Sequence, residues 1–339
     1  MKIIKRRITD LILKRLNYRK IIGIIGARQT GKTTLCKKII PSIINQKVEY
    51  FLFDDLDERI RFKNDGIKIL QTLKSNLIIL DEIQKIPDIF EQIKYVSEKN
   101  NHLKFIITGS SNILLLKNIK ETLAGRISLF NLHPFSLNEI IEKKNNILTE
   151  IVISMNPEII FDIFINLHSD DKRQLQIFAE QLLKFGGFPP VWDIDDEEEK
   201  IFWLKDYRKT FIERDLKDIA GLINLDNFII VQKLLAIRNS QILNISEIAK
   251  EAKVSVNTVK NYINVLKIGF QCLTLPPYFE NIKKRIIKSP KLYFIDNGLV
   301  KVIAGKDTLS SGALFEAFIF SELYKWKDSI SGDVELFYC

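Results

Sequence analysis

The chain has 339 residues, 46% hydrophobic and 27% charged, an ordinary globular balance at a length that predicts two or three domains. Its 51 Lys and Arg against 42 Asp and Glu leave a formal net charge of +9, which permits an acidic partner such as nucleic acid without demanding one. No run approaches the roughly 18 apolar residues that cross a bilayer, no cleavable leader follows the basic start, and the three cysteines form no Cys-x-x-Cys pair. These features predict a cytoplasmic, reduced, soluble protein with no membrane partner.

Residues 1–20 carry Ile8, Leu11, Ile12 and Leu16 at helical spacing with basic residues between them, which predicts a short amphipathic helix. The apolar run Ile21–Ile25 then enters Gly26-Ala27-Arg28-Gln29-Thr30-Gly31-Lys32-Thr33, a full match to the phosphate-loop pattern G-x-x-x-x-G-K-[ST]. A helix-compatible stretch opens at Thr34. Strand, loop and helix in that order aim backbone N–H groups and a helix N-terminus at phosphate oxygens, so residues 26–34 are expected to bind a nucleoside triphosphate. Gly26 and Gly31 permit the tight turn, Lys32 is expected to reach the β and γ phosphates, and the Thr33 hydroxyl to ligate Mg²⁺. Arg28 reads as a surface or interface residue of the loop.

Four further short apolar strands, Val48–Phe53, Leu77–Leu80, Phe105–Thr108 and Ile127–Asn131, alternate with helix-compatible stretches. That pattern predicts an α/β nucleotide-binding core over 1–135 with a parallel sheet covered on both faces. The strand at 77–80 runs into Asp81-Glu82. Asp81 is expected to hold the Mg²⁺ water shell and Glu82 to orient or deprotonate the attacking water, which favours ATP hydrolysis over binding alone. At the end of the next strand Ser110, with Thr108 as the alternative, is set to contact the γ-phosphate or that water, and an equal reading makes Ser110-Ser111-Asn112 a helix cap. Arg126 is the first candidate for the cation that meets charge developing on the γ-phosphate and Arg214 the second; surface ion pairs explain both equally well.

Residues 136–227 read as a helical lid or linker, with apolar faces at Phe161, Ile163, Phe164 and Leu167 and at Phe178, Leu182 and Leu183. Gly186-Gly187-Phe188-Pro189-Pro190 interrupts it, and the acidic run 193–199 reads as a solvated loop or helix start. Helices Ile229–Ile237, Ser246–Ala252 and Val256–Ile268, then strands Cys272–Leu275 and Lys291–Phe294, predict a winged helix over 228–296. Ser255 is the expected N-cap of its third helix. Asn257, Lys260, Asn261 and Asn264 on that helix and Lys283, Lys284 and Arg285 on the wing would face DNA, unless the unit packs against the nucleotide-binding core instead.

Gly26–Thr33, Leu-Asp-Glu-Ile-Gln (80–84), Thr-Gly-Ser-Ser (108–111), Leu-Ala-Gly-Arg (123–126), Gly-Gly-Phe-Pro (186–189) and Glu-Arg-Asp (213–215) together resemble the prokaryotic AAA+ ATPases that carry a C-terminal domain of unknown function. The resemblance implies an AAA-type sheet, a helical lid, a winged helix and a C-terminal domain similar to restriction endonucleases. It also implies the roles given above for Lys32, Thr33, Asp81, Glu82 and Ser110, with ATP and Mg²⁺ as ligands. Residues 297–339 match only the start of that last domain, with Glu316 at its acidic position, so a truncated unit without nuclease chemistry is expected. The readings that follow are an ATP-driven switch acting on a protein client or a second copy, a nucleotide-regulated DNA-binding protein, and a truncated product that only binds ATP.

Overall fold

A computed structural model of the chain describes residues 3–44, 47–110, 119, 121–141, 169–216, 224–281, 288–305 and 308–339. Strands β1 (Ile21–Gly26), β2 (Val48–Leu52), β3 (Leu77–Asp81), β4 (Lys104–Ser110) and β5 (Ile127–Asn131) form one parallel sheet in the order β2-β3-β4-β1-β5. Central β1 and β3 are buried at every position because helices cover both faces, whereas the edge strands β2 and β5 are only partly buried. One face is sealed by α1 (Ile8–Leu16), through Ile8, Ile12 and Leu16, and by α2 (residues 32–43), through Leu35, Cys36 and Ile39. The other face packs on α3 (Leu56–Thr72) and α4 (Ile89–Lys99), through Phe62, Ile69, Phe90 and Ile93.

Helix α2 leaves the loop as Lys32–Thr34, widens into a π-helical turn at Leu35–Ile39, and continues as Ile40–Ile43. Pro41 explains the widening. It has no N–H for the carbonyl four residues back and its ring crowds that carbonyl, and a π turn lets the helix pass it.

Beyond β5 come α5 (Leu137–Ile140), α6 (Ser169–Phe185), α7 (Glu197–Thr210), α8 (Leu225–Ile237), α9 (Ile245–Glu251) and α10 (Val256–Ile268). The antiparallel ribbon β6 (Cys272–Leu275) and β7 (Lys291–Phe294) follows, then α11 (Asn297–Ala304) and α12 (Ser311–Ser329). The acidic run turns out to be a helix start. Asp196 accepts the Glu199 N–H at 2.9 Å, and Glu197, Glu198 and Glu199 sit in the first turn of α7, where the helix dipole favours them. Ser255 caps α10 by accepting the Thr258 N–H at 3.0 Å.

The segments on either side of the expected boundary at 227–228 share one core. Phe188, Leu204 and Phe211 pack with Phe228, Val259, Leu266, Phe294 and Leu299. Among the described residues, the segment 334–338 pairs at Tyr338 alone, in an isolated bridge against Pro277. Glu316 is engaged structurally, accepting from Lys291 Nζ at 2.8 Å and the Tyr293 hydroxyl at 2.6 Å. Among the described residues no three His, Cys, Asp or Glu side chains cluster as a metal site, and no helix is long and apolar enough to cross a membrane. The face Phe161, Ile163, Phe164 and Leu167 and the basic triplet Lys283, Lys284 and Arg285 lie outside the described residues.

Candidate nucleotide-binding site

The loop between β1 and α2 opens at the carboxyl end of the sheet, where α/β proteins place their ligands. Gly31 has φ of 93°, a left-handed conformation that a side chain disfavours, and it sets the chain into α2 without a side-chain cap. The first N–H groups of α2 are thereby left to a ligand rather than to a capping residue. Gly26 serves a different end from the expected turn. It is the last residue of β1, and a Cβ there would lie 2.3 Å from the Leu132 carbonyl oxygen. Lys32 is buried, and its ammonium spans the loop to the carbonyls of Gly26 at 3.0 Å and Ala27 at 2.7 Å. The Thr30 hydroxyl donates to the Ala27 carbonyl at 2.9 Å, which closes the loop on itself. Thr33 is exposed at the start of α2, Thr34 is half-buried, and Arg28 and Gln29 line a cleft of about 220 Å³ with Trp203, Tyr207 and Phe211 of the α7 region.

At the end of β3 the Asp81 carboxylate is fully buried and gripped from both flanking strands. Tyr50 of β2 donates its hydroxyl to Oδ2 at 2.6 Å, and Thr108 of β4 donates its hydroxyl to Oδ1. Burial first, and then the hydrogen bond to Asp81, push the Tyr50 phenol well above the usual tyrosine range, so it is a standing donor. Glu82 adopts a left-handed backbone with φ of 59° and is half-buried. Its carboxylate accepts from Gln84 Nε2 at 2.5 Å, and its N–H reaches the Thr108 hydroxyl oxygen at 3.4 Å. Such a backbone is uncommon for a non-glycine residue and here turns the carboxylate off the strand end.

The sheet register sets Ser110 beside Gly26, at the head of the loop, while its side chain lies outside the described residues. Thr108, the alternative, is committed to Asp81. Arg126 requires a correction. β5 runs parallel to β1 with Ile127 beside Ile21, so Arg126 sits at the amino end of the sheet, six residues or roughly 20 Å from the loop end of β1. There its guanidinium donates to Glu98 Oε1 at 2.8 Å, both groups exposed, so it does not meet the loop of its own chain. The Arg214 side chain is outside the described residues.

A buried arginine supports the loop from behind. Arg6 donates to the Thr30 carbonyl at 2.6 Å, to the His133 carbonyl at 2.5 Å and to Glu139 Oε1 at 3.1 Å, and lies over the Phe135 ring. Burial pushes the Glu139 carboxyl up, but Arg6 and the backbone N–H groups of Arg7 and Ser136 outweigh it and hold the group below the ordinary range. The same junction receives α12: Lys325 donates to the Phe135 carbonyl at 3.0 Å, and Glu322 accepts the Leu137 N–H at 2.8 Å. The Gly-Gly-Phe-Pro motif closes it. Phe135 N–H donates to the Gly187 carbonyl at 2.7 Å, and Gly187 N–H donates to the buried Asp296 at 2.7 Å.

Sequence reasoning missed Arg6, Tyr50 and Gln84. Gln84 lies inside the Leu-Asp-Glu-Ile-Gln motif, and Tyr50 is marked only by a hydroxyl in a mostly apolar strand that also holds Glu49; Arg6 has no signal among its basic neighbours.

Residues 18–141 match the family model of an AAA domain, and residues 178–310 match a domain of unknown function (DUF8612). An uncharacterised protein of Mycobacterium tuberculosis is 25% identical over 353 residues, covering 99% of this chain and 71% of that protein. An uncharacterised protein of Methanocaldococcus jannaschii is 26% identical over 317 residues, covering 90% of this chain and 66% of that protein. A Walker-type ATPase of Pyrococcus abyssi shares the fold, with a TM-score of 0.56 and 14% identity over 89% of this chain and 96% of that one.

Proposed function

We propose that this chain, whose residues 18–141 match an AAA domain and whose residues 178–310 match a domain of unknown function, is a nucleotide-binding protein that hydrolyses ATP with Mg²⁺ and acts as a nucleotide-driven switch. The observation that carries the reading is the division of labour at the end of β3. Asp81 is buried and fixed by two hydroxyls, while Glu82 turns away on a left-handed backbone with its carboxylate steered by Gln84. The first arrangement suits a metal-shell acceptor and the second a group that orients water.

In this reading Lys32 exchanges its loop carbonyls for β and γ phosphate oxygens, and the loop N–H groups cradle the phosphates. The Thr33 hydroxyl and the Asp81 carboxylate are hard oxygen donors of the kind Mg²⁺ takes, and they would hold it directly and through water respectively. Mg²⁺, when bound, neutralises charge on the β and γ phosphates. Glu82 holds the attacking water and accepts its proton, and Ser110 remains the candidate contact to the γ-phosphate. The buttress supports the switch reading: the Thr30 carbonyl, in the loop itself, is tied through Arg6 and Glu139 to the junction that receives α12.

Purified protein with Mg²⁺ and ATP should release phosphate. Glu82→Gln should bind ATP and stall, and Lys32→Ala should lose binding. Equal turnover in wild type and Glu82→Gln would remove the base assignment.

A second reading, a nucleotide-regulated DNA-binding protein, is favoured by one observation. Asn257, Lys260, Asn261 and Asn264 of α10 are exposed, while Val259, Ile263 and Leu266 face the core, so the outer helix face is not covered by the nucleotide-binding domain. Duplex DNA binding that strengthens as salt falls supports it, and no binding at low ionic strength removes it.

A further inference from the structure

We propose that Tyr50 is a positioning residue for the metal side of the site, fixing the plane of the Asp81 carboxylate so that its remaining lone pairs meet the Mg²⁺ water shell. The inference rests on the ATPase reading and deepens it.

The rotation of an aspartate carboxylate about its last bond is broad and nearly two-fold. One donor leaves the group free to pivot; donors on both oxygens from opposite sides do not. Tyr50 on β2 and Thr108 on β4 supply that pair, and they reach Asp81 from the two strands that flank β3. Each carboxylate oxygen has two acceptor sites, so a hydroxyl on each still leaves the carboxylate able to accept from metal-bound water. Tyr50 is itself fixed. Its ring packs in the core cluster that holds Leu35, Cys36 and Ile39 of α2, and the Lys37 ammonium lies 5.6 Å from the ring centre. Helix α2 and the carboxylate of Asp81 therefore share Tyr50 as a spacer, which ties the helix that carries Thr33 to Asp81.

Tyr50→Phe keeps the ring and its packing and removes only the hydroxyl. The full chain and this variant are titrated with a fluorescent ATP analogue in EDTA, then with Mg²⁺ at fixed analogue, and thermal midpoints are recorded beside them. Affinity in EDTA should match wild type, while half-effective Mg²⁺ rises about tenfold, the scale on which metal sites lose affinity when a partner behind a ligand is removed. In an Asp81→Asn background the same change should shift half-effective Mg²⁺ little further, because the group that Tyr50 positions is already altered.

An unchanged or lowered Mg²⁺ requirement overturns the proposal, as does an equal shift in both backgrounds, which would mark a general packing defect. A variant that loses affinity in EDTA by the same factor as in Mg²⁺ also overturns it, since the loop rather than the metal side is then affected. A wild type that binds no analogue overturns the ATPase reading and this proposal together, whereas a wild type that binds it without responding to Mg²⁺ overturns this proposal alone.

Discussion

Replacing Glu139 by Gln tests whether one buried carboxylate holds the amino-terminal arm against the phosphate loop. Glu139 Oε1 accepts from Arg6 Nε at 3.1 Å and Arg7 N–H at 2.9 Å, and Oε2 accepts from Ser136 N–H at 3.1 Å. The Arg6 and Glu139 side chains are only 4% and 7% exposed, so water cannot replace either partner. Gln keeps the shape but offers a single acceptor oxygen. Its NH₂ must then point at Ser136 N–H or at the arginine donors, and the Arg6 charge loses its counterion. Removing one partner of a buried pair costs about 3–5 kcal/mol, and two carbonyls still hold Arg6, so the expected loss is about 3 kcal/mol. At about 2 °C per kcal/mol for a chain of this size, Tm should fall by roughly 6 °C.

The pH dependence follows from the depressed Glu139 carboxyl. Its native pKa lies below the unfolded value of about 4.3, so its stabilisation is complete above that value and is lost as pH falls through the native one. Glu139→Gln should lack this part of the acid sensitivity. Urea melts at pH 7 and pH 3.5 measure both effects. A loss below about 1 kcal/mol at pH 7, the worth of an exposed pair, would refute the reasoning.

The buried Asp296 should behave in the opposite sense. Burial raises its carboxyl against the N–H donors of Gly187 and Leu299, so its contribution is present below the unfolded pKa and fades as pH rises through the native one. The stability gap between wild type and Asp296→Asn should therefore narrow as pH rises, read from urea midpoints; a widening gap would contradict the assignment. Gly31→Ala places a side chain at φ of 93° and should cost about 1–2 kcal/mol while weakening nucleotide binding, measured by melting with and without ATP. Arg126→Ala removes an exposed pair with Glu98 and should change Tm by less than about 1 kcal/mol equivalent, leaving ATP binding intact in a filter or fluorescence assay.

The sheet and the loop were legible because their signals are local. Strands buried on both faces read as unbroken apolar runs, and Ile21–Gly26, Leu77–Asp81 and Lys104–Ser110 match their expected runs to within two residues at either end. The elements that follow residue 255 were legible for the same reason, with α10 and both ribbon strands at the expected bounds. Arg126 misled because a motif states sequence neighbours, whereas its distance from the loop depends on strand direction. Gly186-Gly187 reads only as an interruption of a helical stretch; in space Gly187 binds Phe135 and Asp296 and ties that stretch to the chain just beyond β5 and just beyond β7.

By itself the amino-acid sequence determined the phosphate loop, the adjacent acidic pair and the α/β order, since each rests on backbone conformation and spacing within about ten residues. Only the tertiary structure decided which groups surround them. Tyr50 and Asp81 are 31 residues apart, Arg6 and Glu139 are 133 apart, and α12 reaches the loop's support from 185 residues beyond Leu137. Buried carboxylates and guanidinium groups need partners, and the fold, not the neighbouring sequence, chooses which side chains supply them.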